Sequence, residues 1–152
     1  MEIVFAADHR GLAMKEALKA ALAADGYALR DVGAHSLDLD DDYVDFSAAA
    51  SAEVAQDPAV RRGIFICGSG IGMDMAANKH RGVRAALVAD LATAVQSREH
   101  GDANVLVLAA DALDTDRALE IARVWLQTPF SAEERHARRL KKIAEIEEQN
   151  FK

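Results

Sequence analysis

The sequence is poor in cysteine and in aromatic side chains, and both shortages limit what the protein can be. Cys67 is the one cysteine among 152 residues, and aromatic residues make up 5% of the chain. A single thiol forms no internal disulfide and offers no zinc-type spacing, which favours a reducing compartment and predicts a cytoplasmic protein. Most of the apolar residues in the chain are therefore aliphatic.

Long apolar segments and an excess of positive charge are also missing. No run of about 18 apolar residues is present, and no basic segment precedes a long apolar stretch near Met1, so we predict neither a membrane span nor a signal peptide. Lysine and arginine number 18 against 25 acidic residues, for a net charge of -7. That balance argues against a nucleic-acid partner, but not against a small anionic substrate, because local basic groups bind phosphate within an acidic protein.

Short apolar runs typical of strands alternate with segments whose apolar residues recur at helical spacing. The predicted strands cover Glu2–Ala7, Tyr27–Val32, Gly63–Cys67, Val83–Val88 and Asn104–Leu108. Helices are expected between them, and a charged final helix from about Ala132 to Gln149. This order predicts one domain over residues 1–152, an α/β doubly wound three-layer sandwich with a five-stranded parallel sheet of the Rossmann or flavodoxin-like type.

Sheets of this type bind ligands at the carboxyl ends of their strands. Asp8 directly follows the first strand, and Cys67 ends the third. The glycine-rich turn Gly68–Gly72 lets the backbone approach a ligand, and the helix after it offers N–H groups and a positive dipole end. This setting stabilises an anion and is expected to lower the pKa of Cys67. The alternative is a buried core cysteine followed by a tight turn.

Other polar residues each allow a functional and a structural interpretation. Asp8 and His9 can supply a carboxylate for sugar hydroxyls and an imidazole for phosphate, while Asp8 also suits a helix cap. His100 is either a general acid or base near neutral pH or a polar loop residue. Tyr43 either stacks on a sugar or opens a helix. The acidic run Asp38–Asp42 is interpreted as a solvated loop.

A basic pair lies in the predicted final helix. Arg135 and Arg139 are four residues apart and therefore share one helix face. Two neighbouring guanidinium groups suit a phosphate, although a solvated basic turn that offsets the acidic net charge explains the pattern equally well. No metal-ligand spacing is apparent, and we expect neither a metal nor an organic cofactor.

Six motifs occur along nearly the whole chain: Ala-Asp-His-Arg-Gly at 7–11, Cys-Gly-Ser-Gly-Ile-Gly at 67–72, Ala-Ala-Asn-Lys at 76–79, Arg-Glu-His at 98–100, Asp-Ala-Asn-Val at 102–105 and Arg-His-Ala-Arg-Arg at 135–139. Together they resemble the ribose-5-phosphate isomerase B family, which includes galactose-6-phosphate and allose-6-phosphate isomerases. The resemblance implies a cofactor-free isomerase that interconverts ribose 5-phosphate and ribulose 5-phosphate in pentose phosphate metabolism. It also implies a homodimer or tetramer whose active sites draw on both subunits, with the final helix reaching the partner.

The resemblance further implies a role for each candidate residue. Cys67 is the base that moves a proton between C1 and C2 of the sugar. Ser69, with backbone N–H groups of Gly70 and Gly72, holds the enediolate oxygen, and His100 opens the furanose ring. The remaining substrate contacts are Asp8 and Tyr43 at the sugar, Gly68 in the turn, and His9, Arg135 and Arg139 at the phosphate.

Two departures from the family pattern leave the identity of the preferred sugar undecided. Tyr43-Val44-Asp45 stands where the family commonly has Tyr-Pro-Asp, and His100-Gly101-Asp102 where it commonly has His-Asn-Asp, whose asparagine usually contacts the substrate. The alternatives are therefore an isomerase of a tetrose or hexose phosphate, and a non-catalytic sugar-phosphate binding protein. A flavin or nucleotide module is disfavoured, because Asp8-His9-Arg10 stands where a phosphate-binding loop is expected.

Overall fold

Strands and helices alternate along the chain as predicted in the computed structural model, which describes residues 1–151. The strands are β1 Glu2–Ala7, β2 Ala28–Asp31, β3 Arg61–Cys67, β4 Ala85–Leu87 and β5 Val105–Ala109. The helices are α1 Leu12–Ala24, α2 Tyr43–Gln56, α3 Ile71–Ala77, α4 Leu91–Glu99, α5 Thr115–Gln127 and α6 Glu134–Asn150. Within residues 1–151, none of these helices is both long enough and apolar enough to span a membrane.

The five strands form one parallel sheet in the order β2-β1-β3-β5-β4. The predicted α/β sandwich with a five-stranded parallel sheet is therefore confirmed. In the register of β3 and β5, Gly63 pairs with Val105 at the amino edge, and Cys67 pairs with Ala109 at the carboxyl edge. A parallel strand rises about 3.3 Å per residue, so the four steps from Gly63 to Cys67 separate the two edges by about 13 Å.

Helices cover both faces of the sheet because the central strands are apolar on both sides. On one face, side chains of α1, α4 and α5 form a core with alternate residues of β1 and β3, and Trp125 is its largest member. On the other face, α2 and α3 pack on the intervening residues, including Phe65 and Cys67 itself. Cys67 thus ends a strand whose position is fixed by packing from both sides.

Two strands are shorter than the sequence predicts. β2 covers Ala28–Asp31 within the predicted Tyr27–Val32, and β4 covers Ala85–Leu87 within the predicted Val83–Val88. Both are edge strands with a single neighbour, so fewer ladder hydrogen bonds hold their ends. The apolar pattern continues past those ends because flanking side chains such as Val83 and Val88 are buried although they lie outside the strand.

The final helix differs from the others in how little of it is buried. α6 begins two residues later than predicted and buries only His136. Ile143 and Ile146 are 44% and 58% exposed. Together with Phe151 and the β4 region they line an apolar groove of about 400 Å³. This side of α6 is therefore an apolar surface that the chain itself does not cover.

Candidate active site

The carboxyl edge of the sheet carries a pocket between β1 and β3. Asp8 follows β1 and is 5% exposed, and Cys67 ends β3 and is 4% exposed. The pocket has a volume of about 320 Å³ and is lined by Asp8, Arg10, Tyr43, Cys67, Gly68, Ser69, Ile71, Gly72 and Met75. Five of the residues that the sequence analysis singled out besides Asp8 and Cys67 bear on this pocket: Tyr43, Gly68, Ser69, Gly70 and Gly72.

Glycine is required in the turn after Cys67 for two different reasons. Gly70 adopts φ +77°, a left-handed conformation that L residues disfavour, and a Cβ there would also collide with Leu87. At Gly72 a Cβ would collide with the ring of Tyr43, which lies directly against the turn. The missing side chains thus allow the chain to turn into α3 and let the Tyr43 ring form one wall of the pocket.

The thiol of Cys67 has a raised pKa, contrary to the expectation from the sequence. Burial raises the pKa above its ordinary value of 9.0 by disfavouring the thiolate, while the backbone N–H groups of Met73 and Gly70 lower it in part. The expected stabilisation by the turn is therefore present, but desolvation outweighs it. The Cys67 thiol is therefore mostly protonated at neutral pH, and the fraction present as thiolate grows as the pH rises.

Ser69 is exposed in the turn. Its Oγ accepts a hydrogen bond from the N–H of Ile71 at 3.3 Å, which leaves its own O–H free to donate toward the pocket.

Asp8 caps the turn that leads into helix α1, as one interpretation of the sequence predicted, because its Oδ1 accepts hydrogen bonds from the N–H groups of Arg10 and Gly11, both at 3.0 Å. Its second carboxylate oxygen, Oδ2, is not engaged in this cap, so the two interpretations of Asp8 are compatible.

His9 is held by a residue that the sequence analysis placed in solvent. Its Nδ1 lies 2.6 Å from Oδ1 of Asp41, whose side chain is only 7% exposed. The interpretation of Asp38–Asp42 as a wholly solvated loop was therefore wrong at Asp41, since a long-range contact with the imidazole draws the side chain inward. The hydrogen bond with Asp41 is the main cause that raises the pKa of His9 above 6.5, so the ring keeps its positive charge to higher pH.

Asp8, His9 and Asp41 place their ligand atoms within 4.8 Å of one another, close enough to hold a metal ion. Oδ1 of Asp8 and Nδ1 of His9 are already engaged in the hydrogen bonds described above, whereas Oδ2 of Asp41 is buried without a partner among residues 1–151. We expect no metal from the sequence, and the absence of a metal stays a prediction. Turnover that persists after dialysis against a strong chelator would support it.

The remaining predicted site residues lie at the opposite edge of the sheet. His100 follows α4, which runs from the carboxyl edge back to the amino edge, where β5 begins. Its ring stacks on His136 of α6 with centroids 4.1 Å apart. Arg135 and Arg139 flank His136 and are exposed. One chain therefore does not bring His100, Arg135 and Arg139 to Cys67, because about 13 Å of sheet separates the two edges.

Arg10 in the pocket and His136 at the opposite edge of the sheet were not predicted as site residues from the sequence. Arg10 lines the pocket and pairs with Asp111, which lies 101 residues away in the chain. His136 is fully buried in the stack with His100, where burial is the main cause that lowers its pKa. The local feature that could have pointed to Arg10 as a site residue is its position two residues after Asp8. Long-range partners such as Asp41 and Asp111 have no local pattern.

Comparison with known proteins identifies relatives across the whole chain. A family model described as Ribose/Galactose Isomerase matches residues 3–143. Ribose-5-phosphate isomerase B of Mycobacterium tuberculosis is 37% identical over 147 residues, which are 97% of this chain and 90% of that protein.

Solved structures agree with this chain in fold. A ribose-5-phosphate isomerase B from Mycoplasma genitalium with bound ribulose-5-phosphate superposes with a TM-score of 0.95 at 36% identity, covering 98% of this chain and 97% of that one. The corresponding protein of Clostridium thermocellum gives a TM-score of 0.93 at 40% identity, with 98% and 99% covered. The predicted resemblance is confirmed, and with a family model that covers most of the sequence and full-length relatives near 37% identity, this chain belongs to the ribose/galactose isomerase family.

Proposed function

We propose that this chain interconverts the aldose and ketose forms of a phosphorylated sugar, with ribose 5-phosphate and ribulose 5-phosphate as the leading pair. The observation that carries the proposal is the pocket itself, where a buried thiol faces a space large enough for a small sugar beside an acidic side chain and a glycine-rich turn. Full-length likeness to a ribose-5-phosphate isomerase B that binds ribulose-5-phosphate supports this substrate class.

The pocket contains the groups that a proton transfer next to a carbonyl requires. The thiolate of Cys67 removes the proton from C2 of the open-chain aldose, and the electron pair of that C–H bond forms the C1–C2 double bond of an enediolate. The Ser69 hydroxyl and the N–H groups of the turn donate to the oxygen that gains charge. The hydroxyl proton on O2 passes to O1 as the C2 carbonyl forms, the thiol returns its proton to C1, and the ketose results.

Ring opening and phosphate binding need groups that one chain keeps elsewhere. His100, Arg135 and Arg139 lie together near the amino edge, on and beside the exposed start of α6. We therefore propose a homodimer, or a tetramer, in which these groups complete the pocket of the partner subunit. The apolar groove along Ile143 and Ile146 supports this arrangement, because a second copy would cover side chains that are otherwise exposed.

The proposal is tested by turnover of the purified protein on phosphorylated aldoses and ketoses of four to six carbons. Activity on ribose 5-phosphate supports the leading pair and shows that Gly101 is tolerated. Activity only on a tetrose or hexose phosphate keeps the reaction and changes the sugar. Binding without turnover on every sugar would instead support a non-catalytic sugar-phosphate binding protein.

Shared active sites are tested by mixing two inactive variants, Cys67→Ala and His100→Ala. If sites draw on both subunits, subunit exchange creates mixed dimers in which one site has both groups intact, and activity returns to about a quarter of the native level. Exchange itself is established by tagging one of the two variants and recovering the untagged variant with it. No recovery despite proven exchange would contradict the shared site.

Two further statements stay predictions. The single thiol predicts a cytoplasmic location, which cell fractionation tests. A role in pentose phosphate metabolism follows only if ribose 5-phosphate is the preferred sugar.

A further inference from the structure

Arg10 is a basic residue that lines the pocket of the proposed base. Among the described residues that line the pocket, it is the one with a positive charge. Of the phosphate contacts expected from the sequence, His9 lies at this edge of the sheet, whereas Arg135 and Arg139 lie at the other. The pocket proposed to bind a phosphorylated sugar therefore contains a permanent positive charge. The mechanism proposed above gives this charge no role.

The structure holds the guanidinium of Arg10 in a defined place. Its Nη2 donates to Oδ2 of Asp111, which follows β5. The group lies over Gly68, where a Cβ would come within 2.5 Å of the Arg10 Cζ atom. The N–H of Asp111 in turn donates to the Gly68 carbonyl at 3.0 Å, so the two partners of Arg10 are tied to each other.

This placement fits an anionic group at the outer end of a substrate. Cys67 is 4% exposed at the inner end of the pocket, while the Arg10 side chain is 55% exposed. A sugar whose C1 and C2 lie at Cys67 points its phosphate outward. Nε and Nη1 of Arg10 have no hydrogen-bond partner among residues 1–151, and a guanidinium fork suits phosphate oxygens.

We propose that Arg10, oriented by Asp111 over Gly68, binds the phosphate group of the substrate and sets the preference for phosphorylated sugars. The inference rests on the proposed isomerase function. Arg10 is the residue that touches the substrate, and Asp111 is a positioning residue that acts through it.

The test compares Arg10→Ala with Arg123→Ala. Arg123 forms a comparable exposed ion pair, with Asp25, far from the pocket, and such pairs contribute little to stability. We expect Arg10→Ala to raise KM for the phosphorylated sugar by about tenfold to a hundredfold, the effect of losing a charged hydrogen bond, with kcat nearly unchanged. Arg10→Lys should recover part of the loss, and Arg123→Ala should behave like the native protein.

A binding measurement separates this inference from the proposed function. The thermal stabilisation of each protein by ribose 5-phosphate and by ribose is recorded without following turnover. A native protein that is stabilised but turns nothing over, together with a lost shift in Arg10→Ala, would overturn the isomerase and support the phosphate contact. An equal shift in both proteins, or no shift with any phosphorylated sugar, would overturn the inference.

The role of Asp111 is tested in both backgrounds. Asp111→Asn should raise KM in the native background by less than Arg10→Ala does, and should add nothing once Arg10 is alanine. An equal effect in both backgrounds would show that Asp111 does not act through Arg10. A fall in kcat at constant KM in Arg10→Ala, with a shifted pH profile, would show that the charge serves the thiol instead, and would overturn the phosphate assignment.

Discussion

The two edges of the sheet are built in contrasting ways. At the carboxyl edge, Asp8 and Cys67 are buried, and the turn after Cys67 is fixed by packing on both faces of the sheet. At the amino edge, His100 and Arg135 are exposed, and α6 buries only His136 within the chain. The monomer organises the first edge as a pocket, whereas at the second edge the groups expected to bind the same ligand lie exposed on the surface. If active sites are shared as proposed, the proton-transfer half is preformed in the monomer and the ring-opening half depends on assembly.

The largest expected effect comes from the base at the carboxyl edge. Cys67→Ser keeps nearly the same volume but removes a group able to carry the proton, so we expect kcat to fall by about 10²–10⁴-fold. Because burial raises the thiol pKa, native kcat/KM should rise with pH toward the alkaline range. Both are measured by steady-state kinetics, with thermal unfolding as the control for the fold. Near-native turnover in Cys67→Ser would contradict the thiol mechanism.

The second effect sharpens the claim that the carboxyl edge is preformed. Gly70→Ala introduces both an unfavourable φ and a collision with Leu87, so we expect a loss of about 2–4 kcal/mol in unfolding free energy together with lost activity. Gly26 has φ +90° with open space around it, and Gly26→Ala is therefore the matched control, with a cost of about 1–2 kcal/mol and native activity. Equal costs in denaturant unfolding would show that the packing of the turn is unimportant.

The third effect concerns pH at the amino edge. The folded pKa of His136 lies below 6.5 because of burial and the neighbouring His100, so the unfolded chain binds more protons as the pH falls. Stability from this group is present above about pH 6.5 and is lost as the pH drops through the folded pKa. His136→Asn should flatten thermal stability in this range. An unchanged pH slope in the variant would mean that other groups cause it.

The smallest expected effect lies at His9. Its folded pKa is raised by Asp41, so any stability from this pair is present below pH 6.5 and is lost as the pH rises through the folded pKa. The same charge favours a phosphate, and Asp41→Asn should raise KM by about threefold to tenfold near neutral pH. The variant should approach the native protein at acidic pH, where the ring is protonated in both. A KM ratio that does not change with pH would contradict this role.

Much of the carboxyl edge could be predicted from local sequence. Strand positions follow from apolar runs, and Asp8 and Cys67 follow directly after or at the end of such runs, so their place in the site needs only the rule for parallel sheets. The net direction of the Cys67 pKa could not be predicted in this way. It depends on a balance between burial and two backbone N–H groups, and only the packed structure sets that balance.

By itself the sequence determined the alternating elements, the glycine turn and the family, because apolar period, glycine spacing and short motifs are local properties of the chain. Only the tertiary structure decided the strand order, the pairs His9–Asp41 and Arg10–Asp111, and the separation of His100 from Cys67. The strand order and the two pairs bring together residues that are distant in the chain. His100 and Cys67 are far apart in space although both belong to the family motifs. Their positions are fixed by the crossovers and the direction of each helix, which no local pattern records.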